Sequence, residues 1–355
     1  MTIIDQNYFD ISFLILSCVV ISFFTTPLSI WLAKKIDLID YPRQDTHHNH
    51  SKPTPKAGGI SFLLSISIIF IFYKFWQQTD LLHILIPTII IFSFGLWDDK
   101  FGMNAPIKLF GQIIAVTILV LFDVRVQFLE NQKFFIQFGQ TTAYWVDMFI
   151  TYFWMIGITN AFNMVDSMDG LAIGLSRVTS AFFFLISIIS EQPSLVYLSA
   201  IIFGISWGIA FFNEQPAKTF LGDSGAQSLG FLLAAIAIMY HPKADSQQST
   251  WFIPIMFFTV PIFDTTLVTI SRLRNRLPFY KANLDHTYHR LVKLGWDPYR
   301  AVAITQISAV VASLTAICAS YLPSLAANMI FVLWILVFAT LIFFLEKTFT
   351  TQSSN

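Results

Sequence analysis

The amino-acid sequence predicts an all-α protein that crosses a membrane many times. Only 12% of its 355 residues are charged and 55% are apolar, whereas a soluble domain carries roughly 25% charged residues. The apolar residues form runs of the length that a transmembrane helix needs, about 17 to 25 residues. The cations between these runs fall mostly on one side, as they do in multi-pass proteins. We therefore expect a single integral membrane domain over residues 1–355.

Eleven apolar runs mark the predicted helices, so we expect about 10 to 11 transmembrane segments. The runs cover residues 11–33, 59–76, 82–96, 106–122, 143–163, 171–189, 194–212, 225–240, 250–270, 300–322 and 325–345. The first run ends without a small-residue cleavage site, which predicts a retained helix rather than a cleaved signal peptide. Residues 346–355 are expected to form a short tail.

Lys and Arg predict the orientation of these helices. With the N-terminus outside, one side of the membrane receives Lys34, Lys35, Arg43, Lys52, Lys56, Lys100, Lys108, Lys218, the loop 272–300 and Lys347, and the other receives only Lys74, Arg125, Lys133 and Lys243. Short loops rich in Lys and Arg face the cytoplasm. The N-terminus is therefore predicted outside and the C-terminus, like the tail, in the cytoplasm.

The first cytoplasmic loop contains KAGG after a stretch with several His. Lys56 precedes Gly58 and Gly59, which would let the backbone approach a ligand or a neighbouring helix closely. Lys56 is a candidate for binding anionic phosphates at the membrane surface. The histidines at 47, 48 and 50 lack a carboxylate or Cys at a fixed spacing, so a solvated loop is the simpler interpretation of them.

Two adjacent carboxylates, Asp98 and Asp99, follow the third run, and Lys108 and Gln112 begin the fourth. Neighbouring residues of an extended segment point in opposite directions, so the two Asp need not share one ligand. One would meet a metal or the substrate and the other would be held by the loop. An acidic turn that caps helix ends is the structural alternative.

The stretch NAFNMVDSMDG, residues 160–170, lies between two apolar runs. Its polar residues Asn160, Asn163, Asp166 and Asp169 recur every three positions, and such a step drifts by about 60° on a regular helix. We therefore expect the helix to break near Asp166, helped by Gly170, so that amides and carboxylates converge. A charged side chain at bilayer depth costs at least ~2.5 kcal/mol, so these Asp need a partner or a function. Helix capping is the alternative.

The fourth cytoplasmic stretch places Asp223 among Gly and Ser at the start of the eighth run, after Asn213 and Phe220. A carboxylate flanked by small residues can approach a hard cation, and Mg²⁺ prefers one or two carboxylates together with phosphate oxygens and waters. Asp223 is the first candidate for a metal ligand. An N-cap carboxylate would suit this position equally well.

The last cytoplasmic loop is the most basic and contains DHTYHRL. His286, His289 and Arg290 can hydrogen-bond sugar hydroxyls and phosphates. Two further charges, Arg177 and Asp264, lie at equal depth, about 10 Å from their cytoplasmic helix ends. We expect those two side chains to form an ion pair.

Together, these motifs indicate phosphoryl transfer between a nucleotide and a lipid. Carboxylates suit Mg²⁺, cations suit phosphates, amides and an aromatic ring suit a base, and the membrane holds the lipid. In addition, KAGG, GLWDDK, NAFNMVDSMDGLA, FLGDSGAQSLG and PIFDTT followed by DHTYHRL occur in this order between about residues 37 and 295. In these motifs the chain resembles the polyprenyl-phosphate N-acetylhexosamine-1-phosphate transferases.

The resemblance implies transfer of a sugar 1-phosphate from a UDP-N-acetylhexosamine to undecaprenyl phosphate, with release of UMP. It implies Mg²⁺, with Mn²⁺ as a substitute, a bacterial inner-membrane location with the site on the cytoplasmic face, and no nucleic-acid partner; a homodimer is left open. By position, it assigns a catalytic acidic pair to Asp98 and Asp99 and metal binding to Asp223 and Asn163. It assigns substrate binding to Lys56, Asn160, Asp166, Asp169, Asn213, Phe220, His286, His289 and Arg290.

Two departures from the family pattern are visible. The family usually has His where this chain has Tyr288, and the first loop has Gln44-Asp45-Thr46 in place of an Arg-Lys pair. The spacing of the last motif resembles that of the family's N-acetylglucosamine branch, which implies an N-acetylglucosamine donor and the start of a lipid-linked envelope glycan. A phospho-N-acetylmuramoyl-pentapeptide transferase and, in another class, a secondary transporter are the alternatives. Single displacement, with Asp98 or Asp99 positioning or deprotonating the lipid phosphate, is preferred over a phospho-enzyme.

Overall fold

A computed structural model describes residues 3–41, 52–131, 139–242, 251–277 and 285–352. Within these ranges the chain forms fourteen α-helices. They are α1 (Ile3–Lys35), α2 (Gly58–Phe72), α3 (Thr79–Phe101), α4 (Ala105–Leu121), α5 (Phe128–Asn131), α6 (Gln140–Val165), α7 (Leu171–Ile189), α8 (Pro193–Asn213), α9 (Gly222–Met239), α10 (Ile253–Phe257), α11 (Thr259–Arg274), α12 (Thr287–Lys293), α13 (Pro298–Ser320) and α14 (Ser324–Gln352). A 3₁₀ turn covers Phe75–Gln77, and β1 (Ile39–Asp40) pairs antiparallel with β2 (Thr54–Pro55).

The predicted fold class is confirmed, because every one of the predicted apolar runs contains helix. Among the described residues, eight helices are long and apolar enough to cross a membrane: α1 (from residue 10), α3, α6, α7, α8, α9, α13 and α14 (to residue 347). The helices α2 and α4 are apolar but shorter. The protein is a multi-pass membrane protein, and the orientation of its termini stays a prediction.

One predicted helix, residues 250–270, is wrong in detail because it is interrupted. Helix α10 ends at Phe257, and α11 begins at Thr259 and continues to Arg274. Pro261 has no N–H to donate to the carbonyl of Phe257, so the helix cannot continue through this point with regular hydrogen bonds. Within α11 the proline lies in the first turn, where a missing donor costs least.

Helix α9 lies at the centre of the bundle, packed against α2, α3, α6 and α7. Glycines of neighbouring helices allow this close packing. A Cβ on Gly95 of α3 would lie 2.6 Å from Cα of Ser224. Because such contacts leave no space for a side chain, they fix the first turn of α9, which carries Asp223, against the end of α3.

The KAGG motif contacts a neighbouring helix start rather than open space. The N–H groups of Gly58 and Gly59 donate to the carbonyls of Phe220 and Leu221 at 2.9 and 3.0 Å, and the N–H of Phe220 donates to the carbonyl of Pro55 at 3.0 Å. A Cβ on Gly59 would lie 2.6 Å from the backbone nitrogen of Gly225. The two glycines therefore hold the segment that leads into α9.

The expected helix break at Asp166 is confirmed. Helix α6 ends at Val165, and Asp166 has a ψ angle of 47°. Gly170 adopts a φ angle of +76°, a conformation that a side chain would strain, and α7 begins at the next residue. Gln306 of α13 donates to the carbonyl of Gly170 at 3.1 Å and supports the turn.

The expected ion pair between Arg177 and Asp264 is wrong. Arg177 pairs with Glu214, and its guanidinium lies 4.5 Å from the ring centroid of Trp207. Asp264 instead binds residues of α12, as described below. Equal depth in the membrane leaves the direction of each side chain around its helix undetermined, and here the two directions differ.

Candidate active site

Three helix ends bring a group of acidic and basic side chains together. Asp98 and Asp99 lie in the last turn of α3, Asp166 follows α6, and Asp223 lies in the first turn of α9. Lys56 and Lys108 contact these carboxylates. We call these six residues the carboxylate cluster.

Asp99 caps the first turn of α9 from a neighbouring helix. Its carboxylate accepts the backbone N–H of Asp223 at 2.9 Å, the backbone N–H of Ser224 at 3.0 Å and the Ser224 hydroxyl at 2.7 Å. Nζ of Lys56 lies 3.7 Å away, and the Asp99 side chain is 0% exposed. A carboxylate at a helix N-terminus is favoured by the unpaired N–H groups and the helix dipole. Asp99 therefore takes the capping role that was the structural alternative for this acidic pair.

Asp98 and Asp223 share one cation. Nζ of Lys108 forms an ion pair with Asp98 and lies 2.6 Å from Oδ2 of Asp223. Asp98 also accepts the N–H of Met103 at 2.5 Å. The expectation of an extended segment here is wrong, because α3 continues through Asp98 and Asp99. The conclusion drawn from it is confirmed, since the two carboxylates have different partners.

Asp166 lies in the turn after α6, and the pKa of its carboxyl is strongly raised. Burial raises the pKa of its carboxyl well above the usual range, and the negative charges of Asp223, Asp99 and Asp169 raise the pKa further. Lys56 opposes this shift only in part. The turn after α6 thus holds a carboxylate where its ionised form is disfavoured, and such groups concentrate at functional sites.

The carboxylate cluster suits a hard divalent cation that also binds phosphate. Its donors are carboxylate oxygens, which Mg²⁺ prefers, and the repulsion felt by Asp166 would be relieved by a cation. Among the described residues no three His, Cys, Asp or Glu side chains are already grouped as a metal cage. Mg²⁺ is usually held by one or two carboxylates plus substrate phosphates and waters, and Asp166 and Asp223 are the carboxylates that would hold it here.

The two amides of the stretch 160–170, Asn160 and Asn163, have different surroundings. Asn160 exchanges hydrogen bonds with Gln112, at 2.8 and 3.1 Å, and donates to the carbonyl of Ile156 at 2.8 Å. Gln112 also donates to Gln227 of α9 at 3.0 Å. Asn160 therefore links α6 to α4 and α9. Asn163 lies one turn closer to Asp166 and is half-buried. The assignment of both to ligands stays a prediction.

Asp169, Asn213 and Phe220 surround the loop between α8 and α9. Asp169 accepts the N–H of Ala217 at 3.1 Å, and Asn213 donates to the carbonyl of Thr219 at 3.0 Å. Asn213 is 2% exposed, and among the described residues its Oδ1 has no hydrogen-bond partner. Phe220 is half-buried with its backbone held by the KAGG segment. These three predicted substrate-binding residues therefore lie around one loop, and their roles remain predictions.

The residues His286–Arg290, which we call the histidine turn, form the start of α12. Nδ1 of His286 lies 2.7 Å from Oδ2 of Asp264, and the N–H of Thr287 donates to Oδ1 of Asp264 at 2.6 Å. Asp264 of α11 therefore orients the His286 ring and caps α12 at the same time. The sequence pattern placed Asp264 deep in a helix and missed this role.

Tyr288 and His289 of the histidine turn connect it to the stretch 160–170. The Tyr288 hydroxyl donates to the carbonyl of Ser167 at 2.8 Å and lies 2.8 Å from Nε2 of His289. Burial and the charge of His286 lower the pKa of His289 to about 4. His289 is therefore a neutral imidazole near pH 7.

Arg290 is held inside the protein. It is 1% exposed, donates to the carbonyl of Asp285 at 2.9 Å and pairs with Glu346 of α14 at 2.7 Å. Asp285 in turn binds Arg272 through two hydrogen bonds of 2.9 and 3.0 Å. In this arrangement Arg290 anchors α12, and its proposed contact with substrate stays a prediction.

An apolar cavity of about 550 Å³ adjoins the histidine turn. Its walls come from α11, α13 and α14 and include Phe263, Trp334 and Phe338, and Asp264, Thr287 and Tyr288 line its polar end. The histidines at 47, 48 and 50 lie outside the described residues. Sequence reasoning did not select four residues of the site, because their partners are distant in the chain. These residues are Ser224, Asp264, Asp285 and Tyr288.

The sequence is similar to those of known proteins. Residues 81–241 match the family model described as glycosyl transferase family 4. A probable undecaprenyl-phosphate N-acetylglucosaminyl 1-phosphate transferase of Bacillus subtilis is 28% identical over 82% of this chain and 80% of its own length. A decaprenyl-phosphate N-acetylglucosaminephosphotransferase of Mycobacterium tuberculosis is 27% identical over 81% and 77%. A phospho-N-acetylmuramoyl-pentapeptide-transferase of Limosilactobacillus fermentum is 26% identical over 72% and 79%.

Proposed function

We propose that this chain, whose residues 81–241 match the model of glycosyl transferase family 4 and which aligns with its relatives over most of its length, transfers N-acetylglucosamine 1-phosphate to a polyprenyl phosphate. The proposed donor is UDP-N-acetylglucosamine, the acceptor is undecaprenyl phosphate, and UMP is released. The observation that carries the proposal is the carboxylate cluster, in which three helix ends of a membrane bundle converge. The names of two relatives indicate the sugar and the class of lipid.

The reaction requires two anions to meet, so the site must neutralise charge. An oxygen of the lipid phosphate attacks the phosphorus that bears the sugar, and the bond from that phosphorus to UMP breaks. Positioning and electrostatic stabilisation supply most of the catalysis in such transfers. Lys56 and Lys108 are the two cations of the cluster, and each already contacts a carboxylate. We assign them to the phosphates of the two substrates.

Within the acidic pair, Asp98 is the better candidate to position or deprotonate the lipid phosphate. All three hydrogen bonds that reach Asp99 come from the start of α9. A second pKa near ~6 leaves the lipid phosphate mostly dianionic at neutral pH, so a base is helpful rather than essential. A phospho-enzyme on Asp98 is the rival mechanism. It predicts that labelled sugar phosphate stays on the protein when acceptor is omitted.

We propose Mg²⁺ as the cofactor, held by Asp223 and the neighbouring carboxylate of Asp166. When bound, the ion would neutralise the diphosphate and favour departure of UMP. Asn163, one turn before Asp166, is the proposed amide ligand. The apolar cavity supports a lipid substrate, because it opens between membrane helices and ends at the histidine turn.

The test is a direct assay of the purified full chain in detergent. UDP-N-acetylglucosamine, undecaprenyl phosphate and Mg²⁺ are supplied, and UMP and the lipid-linked sugar are measured. EDTA should abolish both products, and Mg²⁺ should restore them. Asp223→Asn should lower the rate by at least about 10²-fold, as expected when an electrostatic stabiliser is lost.

A matched control variant distinguishes the specific loss of the Asp223 carboxylate from general damage to the protein. Asp123→Asn changes an exposed carboxylate whose ion-pair partner among the described residues is the nearby Arg125, and it should leave the rate within twofold. Release of UMP only with the muramoyl-pentapeptide donor would replace the proposed sugar while keeping the reaction class. Product formation that is unaffected by EDTA and by Asp223→Asn would contradict the proposed site.

A further inference from the structure

The Tyr288 hydroxyl joins two segments that are 121 residues apart in the chain. One segment is the turn after α6, which carries Asp166 and Asp169, and the other is the histidine turn. The hydroxyl lies 2.8 Å from the carbonyl oxygen of Ser167 and 2.8 Å from Nε2 of His289. Tyr288 is 1% exposed, so water cannot easily replace these contacts.

The hydrogen-bond chemistry of this junction fixes the proton on His289. A carbonyl oxygen can only accept, so the single Tyr288 O–H must donate to Ser167. The Tyr288 oxygen then accepts from His289, which requires a proton on Nε2. His289 is therefore the Nε2–H tautomer with an unprotonated Nδ1. Among the described residues, this Nδ1 is buried without a hydrogen-bond partner.

We propose that Tyr288 is a positioning residue for the sugar-nucleotide donor. Its hydroxyl holds the turn of Asp166 and Asp169 and the histidine turn at one fixed separation and sets the tautomer of His289. The inference rests on the proposed function and on the substrate-binding assignments of Asp169, His286 and His289, between which the donor would extend. Binding of the donor would therefore benefit from a preformed spacing between the two segments, while the lipid acceptor would meet only the Tyr288 ring, which lines the apolar cavity.

The alternative is that Tyr288 only fills space. Its ring packs against the tilted ring of His289, with centroids 4.0 Å apart, and it also lines the apolar cavity. Tyr288→Phe keeps the ring and removes only the oxygen, so it separates packing from hydrogen bonding. The matched control is Tyr299→Phe, which removes the same atom from a tyrosine that is 69% exposed.

The first experiment measures steady-state kinetics of both variants with each substrate varied in turn. Loss of a buried hydrogen bond of this kind corresponds to about a five- to tenfold change. We expect Tyr288→Phe to raise KM for UDP-N-acetylglucosamine by this factor, with KM for undecaprenyl phosphate within twofold of the parent. Tyr299→Phe should change neither. An unchanged donor KM, or equal rises in both KM values, would overturn the proposal.

The second experiment needs no activity. The full chain is labelled with ¹⁵N-histidine, and the His289 signals are assigned by comparison with His289→Gln. The parent should show a protonated Nε2 and an unprotonated Nδ1, and Tyr288→Phe should show a mixture of both tautomers. A proton on Nδ1 in the parent would overturn the proposed bond. If the parent turned over no sugar nucleotide, the proposed function would fail, while this measurement would still decide the tautomer.

Discussion

The carboxylate cluster and the histidine turn lie side by side but distribute their charges in opposite ways. In the cluster, four carboxylates face two lysines, and like charges raise the pKa of Asp166. Around the histidine turn, the buried charges have partners of opposite sign: Arg272 pairs with Asp285, and Glu346 pairs with Arg290 and with the exposed Arg274. Like charges thus gather in the cluster, whereas opposite charges are paired around the histidine turn.

This difference indicates which region performs the chemistry. Unrelieved repulsion among buried groups costs stability, so it persists where a substrate or a cation relieves it during function. Matched buried pairs instead hold a segment in place, and removing one partner is costly. The histidine turn is thus a rigid support beside a strained reaction site, and its polar groups act by orientation.

The largest expected effect is on stability in the histidine turn. Asp285→Asn removes one charge of the buried bidentate pair with Arg272. Breaking such a pair by removing one partner costs about 3 to 5 kcal/mol. Thermal unfolding in detergent should therefore occur at a clearly lower temperature than in the parent. Asp123→Asn, in an exposed pair, is the control and should leave unfolding nearly unchanged. Equal shifts in the two variants would remove the distinction between the regions.

Asp166→Asn, in the carboxylate cluster, should keep or raise the stability of the protein and lower its activity. The folded protein raises the pKa of this carboxyl, so folding disfavours the ionised form. The stability that the protonated carboxyl contributes is therefore lost as pH rises through the folded pKa. The amide removes that penalty, so unfolding at pH 7 should occur at the same or a higher temperature. The transfer rate should fall by about 10²-fold, the scale of one electrostatic contribution. A destabilised variant with full activity would contradict our view of the cluster.

The helix ends that carry the cluster could be predicted from the sequence because their signals are local. Run lengths and loop cations gave the helices, and the three-residue step that ends at Asp169 together with Gly170 gave the break after α6. The pairing of Asp264 could not be obtained this way. Depth along a helix can be counted, but the direction around it depends on packing, and Asp264 turns toward His286 rather than Arg177. Adjacent residues are equally ambiguous, and only the contact with α9 shows that Asp99 is the cap.

A smaller effect distinguishes the members of the acidic pair. Asp99→Ala removes the three hydrogen bonds to the first turn of α9, and losing a helix cap costs about 1 to 2 kcal/mol. Unfolding should shift accordingly, and the transfer rate should fall because Asp223 is no longer held. Asp98→Ala should reduce the rate at least as much with little change in unfolding, since its partner Lys108 keeps Asp223. A larger stability loss for Asp98→Ala would show that the roles are exchanged.

The smallest effect concerns pH and the histidine turn. His289 has a pKa of about 4, below the ordinary value of 6.5. Between these values His289 is protonated in the unfolded chain and neutral in the folded protein. The stability contributed by this group therefore falls as pH decreases from about 6.5 to 4 and then levels off. The charged groups around it, His286, Asp264, Asp285 and Lys293, are kept in His289→Gln. The unfolding temperature of that variant should therefore depend less steeply on pH in this window. If the slopes of variant and parent coincide, burial and the charge of His286 do not lower the pKa of His289 in the folded protein.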